Sequence, residues 1–125
     1  MSGLDWTLLI VAGGLGAGAR YLLDARIMRG RRDAFPLGIA IVNLTGSFLL
    51  GVLTGLGPVI APVWLSVLGV GVLGGFTTFS TVSVDTVLLA QRGRRDWAWT
   101  NLLGTLVLCL VAAALGLLLG GLFPR

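Results

Sequence analysis

Four long apolar runs, separated by short stretches rich in charge, glycine or proline, set the pattern of this chain. The first extends from about Trp6 to Leu23 and is charged only at Arg20, near its end. The second extends from about Pro36 to Leu56, the third from about Val63 to Gln91, and the fourth from about Trp97 to Leu122, without a single charge. A spanning helix needs about 20 mainly apolar residues. Lipid offers the backbone no other partner, so all four runs are predicted to be helices. Between them lie the polar stretch 24-DARIMRGRRDAF-35, the turn 57-GPVIAP-62 and the short loop 92-RGRRD-96. Pro36 suits the first turn of a helix, where its missing N–H costs nothing.

The third run is too long and too rich in glycine for a simple rod. Two adjacent glycines and a cluster of hydroxyls, 74-GGFTTFST-81, occupy its middle. Such a stretch makes either a kinked Ser/Thr-rich helix or a break, where freed carbonyls and hydroxyls face a cavity or an ion. Carbonyl oxygens suit Na⁺ or K⁺; hydroxyl and amide donors suit a small anion. Asn43, Ser47 and Thr54 share one face of the second helix. Asn101, Thr105, Cys109 and Ala112 share a face of the fourth. A packing seam and a pore wall look alike at this level. Arg20 and Asp85 are the most deeply placed ionisable groups; they can snorkel to the interface, pair, or sit in a watery vestibule. No carboxylate lies in the first half of any predicted helix, which argues against a proton-coupled exporter.

Composition agrees with a membrane protein. Of 125 residues, enough for one domain over 1–125, 56% are hydrophobic and 11% charged. A soluble domain is nearer 45–50% apolar and about 25% charged. The absence of His and the single Cys109 exclude a His-based triad, a His/Cys zinc site and an intramolecular disulfide. The chain is not expected to be an enzyme. All nine basic residues are Arg, and the net charge is +4. In a soluble chain that would suggest nucleic acid. Here the arginines cluster between apolar runs and read as topology signals, not as a nucleic-acid surface. The twenty glycines include small-xxx-small pairs at Gly14/Gly18, Gly51/Gly55, Gly71/Gly75 and Gly116/Gly120, which suggest close helix packing. Trp6, Trp64, Trp97 and Trp99 fall at predicted helix ends, as interfacial aromatics do. Residues 1–5 carry Asp5 and no Arg, so the first run reads as a retained helix rather than a signal peptide. The 24–35 and 92–96 loops hold seven Arg, four and three, against Arg125 alone on the other side. This predicts one orientation, with the Arg-rich loops cytoplasmic.

Four stretches, 13-GGLGAGARYLL-23, 36-PLGIAIVNLTGSFLLG-51, 74-GGFTTFSTVSVD-85 and 101-NLLGT-105, resemble the Fluc (CrcB) family of fluoride channels, in family order over nearly the whole chain. The resemblance implies an all-α membrane protein of four transmembrane helices, the third broken mid-membrane, in an antiparallel dimer. It implies passive fluoride efflux across the cell (plasma) membrane and a structural Na⁺ at the dimer centre. The Na⁺ would be held by the backbone carbonyls of Gly74 and Thr77. Asn43, Phe79, Thr81, Val82, Asn101 and Thr105 match pore positions, and Arg20 matches the helix-one arginine of the vestibule. The sequence departs from the family at Val82, where a second pore phenylalanine is usual, and at Ile39, near a usual threonine. Those departures and the one-sided Arg distribution suggest a heterodimer with an oppositely oriented homologue. Two other readings stand beside the channel: a non-conducting assembly subunit, and a small drug-exporter-type transporter, which the missing mid-membrane acid disfavours.

Overall fold

The computed structural model describes residues 1–32 and 34–124; Asp33 and Arg125, counted in the charge balance above, lie outside them. Among the described residues every regular element is helical. Four segments are long and apolar enough to cross a membrane: Gly3–Ile27, Leu37–Gly55, Pro62–Gln91 and Arg95–Gly121.

The first helix, α1 (Gly3–Ile27), starts at a capping box. The Ser2 hydroxyl accepts from the Asp5 amide at 3.2 Å, and the Asp5 carboxylate accepts from the Ser2 amide at 2.6 Å. These bonds satisfy two groups that a helix start leaves unpaired. The helix continues past Leu23, into the stretch read from the sequence as a loop. Charge at Asp24 and Arg26 ends the apolar run but does not end a helix. The turn comes at Gly30, whose φ of +75° suits glycine. Gly93, at φ +78°, makes the corresponding turn before the fourth span.

The second helix, α2 (Leu37–Gly55), follows Pro36 directly. A short 3₁₀ turn, Gly57–Val59, leads to the third span. This begins with α3 (residues 62–76), which is π-helical over Ser66–Leu73 and regains α geometry at Gly74–Phe76. Thr77 and Thr78 are extended, at φ −80°, ψ 153° and φ −149°, ψ 125°. Helix α4 (Phe79–Gln91) then resumes. The last helix, α5 (Arg95–Gly121), carries a π-helical stretch at Thr100–Gly104. It starts two residues before Trp97, because Arg95 and Asp96 sit in its first turn without breaking it.

Packing divides into two helix pairs, α1 with α3 and α2 with α5. Glycine allows both. A Cβ on Gly16 would strike the Val72 carbonyl, and one on Gly75 would strike the Gly13 carbonyl. In the other pair, a Cβ on Gly51 would meet Ala113, one on Gly116 would meet Phe48, and one on Gly120 would meet Val52, each at the carbonyl oxygen. Three of the four small-xxx-small pairs therefore lie in seams. The exception is Gly14/Gly18, where a Cβ would meet nothing within 4 Å. Gly13 and Gly16 make the approach of α1 instead. At most 33% of any span's apolar window is buried within the chain. Most of the apolar surface is left for lipid or for a second subunit.

Candidate functional site

The extended pair Thr77–Thr78 frees backbone groups in the middle of an apolar span, and each needs a partner. Asn43, on α2, supplies two bonds at once. The Thr78 amide donates to Asn43 Oδ1 at 2.8 Å, and Asn43 Nδ2 donates to the Thr78 carbonyl at 2.9 Å. The side-chain amide thus pairs with a peptide group as a neighbouring strand would. The Thr78 hydroxyl caps α4 by accepting from the Thr81 amide at 3.2 Å. The Thr77 amide and hydroxyl both donate to the Leu73 carbonyl, at 3.0 and 2.9 Å.

These bonds have a consequence for two carbonyls. In a continuous helix, the Thr78 amide would serve the Gly74 carbonyl and the Thr81 amide would serve that of Thr77. Both amides are committed elsewhere, to Asn43 and to the Thr78 hydroxyl. The carbonyls of Gly74 and Thr77 are released from their helical donors. Hard oxygen ligands of this kind suit a small monovalent or divalent cation of groups one and two. Among the described residues no cluster of three His, Cys, Asp or Glu side chains offers a metal site.

Beside the break lies an open groove of about 300 Å³. Asn43 and Ser47 line it from α2, Thr77 and Thr78 from the break, Phe79 and Val82 from α4, and Thr105 and Cys109 from α5, together with the apolar Leu102 and Leu106. Its polar groups are all uncharged. Phe79 is 78% exposed, an aromatic side chain presented outward. A second cavity, of about 280 Å³, lies toward the Arg-rich end. It is lined by Asp24 and Arg31, by Ile39 of α2, and by Thr81, Asp85 and Arg92 of the third span and its exit.

The residues singled out in the sequence thus divide by place. Asn43, Phe79, Val82 and Thr105 gather at the groove, with Thr77 beside them. Thr81 lies in the second cavity, turned about 100° around α4 from Val82. Asn101 stands behind the groove, 2% exposed. It donates to the Val82 carbonyl at 3.3 Å and to the Thr86 hydroxyl at 3.0 Å, tying α5 to α4. Arg20 lines neither cavity; its Nε is buried without a hydrogen-bond partner among the described residues. Thr54 turns back onto its own helix, donating to the Leu50 carbonyl at 2.7 Å. Ala112, placed with Cys109 by helical spacing, is buried at a different apolar cleft.

One residue was missed in the sequence. Thr78 is at once the clamped residue and the cap of α4. The T-x-x-T spacing of Thr78 and Thr81, a hydroxyl three residues before an amide, is the signal that would have found the cap. Cys109, on the face it shares with Thr105, reaches the groove as well.

A family model described as CrcB-like protein, Camphor Resistance (CrcB), matches residues 7–117. The chain belongs to the CrcB family. Its relatives carry a consistent description. "Fluoride-specific ion channel FluC 1" of Leifsonia xyli subsp. xyli is 49% identical over 115 residues, covering 90% of this chain and 83% of that one. "Fluoride-specific ion channel FluC" of Shewanella amazonensis is 44% identical over 112 residues, covering 87% and 90%. The protein of the same description from Shewanella baltica strain OS155 is 44% identical over 115 residues, covering 87% and 91%. Proteins so described are ion channels, not enzymes. The CrcB match and the four spans together make this a multi-pass membrane protein.

Proposed function

We propose that the chain is a subunit of a fluoride-specific ion channel that lowers cytoplasmic fluoride by passive efflux across the plasma membrane. The observation that carries this reading is the groove beside the Asn43–Thr78 clamp, largely apolar in its walls and set with the uncharged polar groups of Asn43, Ser47 and Thr105, in a chain whose CrcB relatives are described as fluoride channels. Fluoride is small and strongly hydrated, so a pore must replace its water with donors. Asn43 Nδ2 carries two hydrogens and spends one on Thr78. The second hydrogen and the hydroxyls of Ser47 and Thr105 supply donors. The ring edge of Phe79 carries partial positive charge and adds a weaker one.

In this reading a second subunit, oppositely oriented, closes the groove, and the third span is broken in mid-membrane at Thr77–Thr78. The exposed Phe79 and the largely unburied spans support a partner. The released carbonyls of Gly74 and Thr77 would hold a structural Na⁺, which would pin the two breaks together and raise the local positive potential. Seven arginines on one pair of loops favour a single orientation, and therefore a homologue as the partner rather than an inverted copy. Arg20 would stand in the aqueous approach.

The test is fluoride efflux from liposomes, followed with a fluoride electrode and a chloride control. Selective efflux from this chain alone is expected if it pairs with itself. Efflux only after a second FluC homologue is added would make it half of a heterodimer. Charged-drug uptake without fluoride efflux would overturn the reading. A second reading, an assembly subunit that does not conduct, is favoured by one observation: Val82 places an aliphatic side chain on the groove.

A further inference from the structure

Another cavity, of about 300 Å³, opens between α4 and the start of α5, and the channel reading makes no use of it. Thr86 and Ala90 line it from α4; Arg95, Ala98, Trp99 and Leu102 line it from α5. The four α5 residues recur at i, i+3, i+4 and i+7, which keeps them on one face. Thr86 and Ala90 stand one turn apart on the facing helix. Alanines at 90 and 98 leave space that larger side chains would fill. The Thr86 hydroxyl donates to the Val82 carbonyl at 2.7 Å and accepts from Asn101 at 3.0 Å, so its one donor is already committed.

The lining changes character along α5. Arg95 is the first residue of the helix, Trp99 follows one turn in, and Leu102 nearly two. Charge, amphipathic ring and hydrocarbon thus succeed one another over about 10 Å of axis. A phospholipid presents the matching order of phosphate, glycerol esters and acyl chain across an interfacial layer about 5–8 Å thick. Arg95 is exposed, and Trp99 is 62% exposed. Neither the Arg95 guanidinium nor the Trp99 indole N–H has a partner among the described residues. Arg94, by contrast, is taken up by Asp96 at 3.1 Å and by the Trp97 ring at 3.6 Å. Asp96 is thereby neutralised and does not offset the charge of Arg95.

We propose that this crevice binds an anionic phospholipid of the leaflet at the Arg-rich end, with its phosphate on Arg95 and Trp99 and one acyl chain laid between α4 and α5. Basic pockets between spanning helices select anionic headgroups. A tryptophan at this level keeps its ring in hydrocarbon while its N–H reaches the headgroup. Leu102 lines both the crevice and the groove, so the bound chain backs one wall of the groove. Lipid binding here needs only the bilayer, and stands or falls apart from fluoride transport.

Native mass spectrometry of the full chain in detergent, titrated with phosphatidylglycerol or phosphatidylcholine of identical acyl chains, reads the affinity for the first phospholipid bound. Phosphatidylglycerol is expected to bind about fivefold more tightly, which is what one interfacial arginine is worth. Arg95→Gln is expected to lose that preference, and Arg29→Gln, at an exposed arginine of the other loop, to keep it. Ala90→Leu fills the crevice from an exposed position and is expected to weaken both lipids about tenfold. The two variants probe the headgroup and the chain separately, so a failure to fold at one leaves the other to decide. No preference in the wild type, equal losses in Arg95→Gln and Arg29→Gln, or undiminished binding to Ala90→Leu would each overturn the proposal. A changed dimer population in these variants, with lipid binding unaltered, would give the crevice to a second subunit and overturn it as well.

Discussion

Asn43 holds the break together and, in the channel reading, also donates to the passing anion. Its amide satisfies both backbone groups of Thr78. A leucine there would leave a donor and an acceptor unpaired at a site 7% exposed. Each such group costs about 1–3 kcal/mol. Asn43→Leu is therefore expected to lower the thermal midpoint in detergent as well as to reduce fluoride efflux. A variant with normal stability and normal efflux would remove Asn43 from both roles. Thr77 differs. Its hydroxyl only doubles a bond that its amide already makes to Leu73, so Thr77→Ala is expected to leave efflux within about threefold of wild type. A severe loss in a folded protein would mean that the hydroxyl, and not the carbonyl, is the functional group.

At the scale of elements, the seams discriminate between glycines that look alike in sequence. A Cβ on Gly116 would collide with the Phe48 carbonyl, and backbone yields less than a side chain. Gly116→Ala is expected to cost about 1–3 kcal/mol of stability through overpacking. Gly14→Ala meets open space and is expected to be neutral or slightly stabilising, since alanine is the better helix former. Chemical denaturation in detergent micelles, compared side by side, reads the difference; equal effects would show that the seams are not tight. The four spans were legible in the sequence, because hydropathy and length report them directly. Helix ends were less so. Charge marked the edge of the apolar run at Leu23, whereas the helix ends where the backbone turns, near Gly30. The site was half legible. Helical spacing put Asn43 and Ser47 on one face correctly, but it assumes a uniform 3.6-residue period. The π-helical turn at Thr100–Gly104 breaks that period, so Asn101 faces α4 while Thr105 faces the groove. The partner of Thr78 was not legible either, since nothing local in the sequence links it to a residue 35 positions earlier.

The whole molecule presents an asymmetric charge and an incomplete interior. Arginines gather at one end, where Arg94 lies 3.6 Å over the Trp97 ring and pairs with Asp96 at 3.1 Å. Phe35 meets the same ring edge-on at 5.9 Å. Such a cluster belongs at a headgroup interface. The chain is expected to insert with its termini outside, in one orientation, as read by labelling single cysteines placed at residue 2 and residue 58 in a Cys109→Ser background. Replacing Arg29, Arg31, Arg94 and Arg95 with glutamine, and adding arginines in the 57–62 turn, is expected to yield mixed orientations. An unchanged single orientation after that exchange would mean that another signal sets the topology.

The clamp also imposes a schedule on synthesis. Chains emerge from the ribosome amino end first, at about 5–20 residues per second. Asn43 therefore enters the bilayer a few seconds before Thr78 follows it. The side chain that satisfies the interruption is already waiting when the exposed peptide group arrives. A permuted chain in which the third span is made first would carry an unsatisfied gap into lipid until its partner helix appeared. The order of the spans in the gene is then part of what lets an irregular stretch of backbone survive in an apolar solvent.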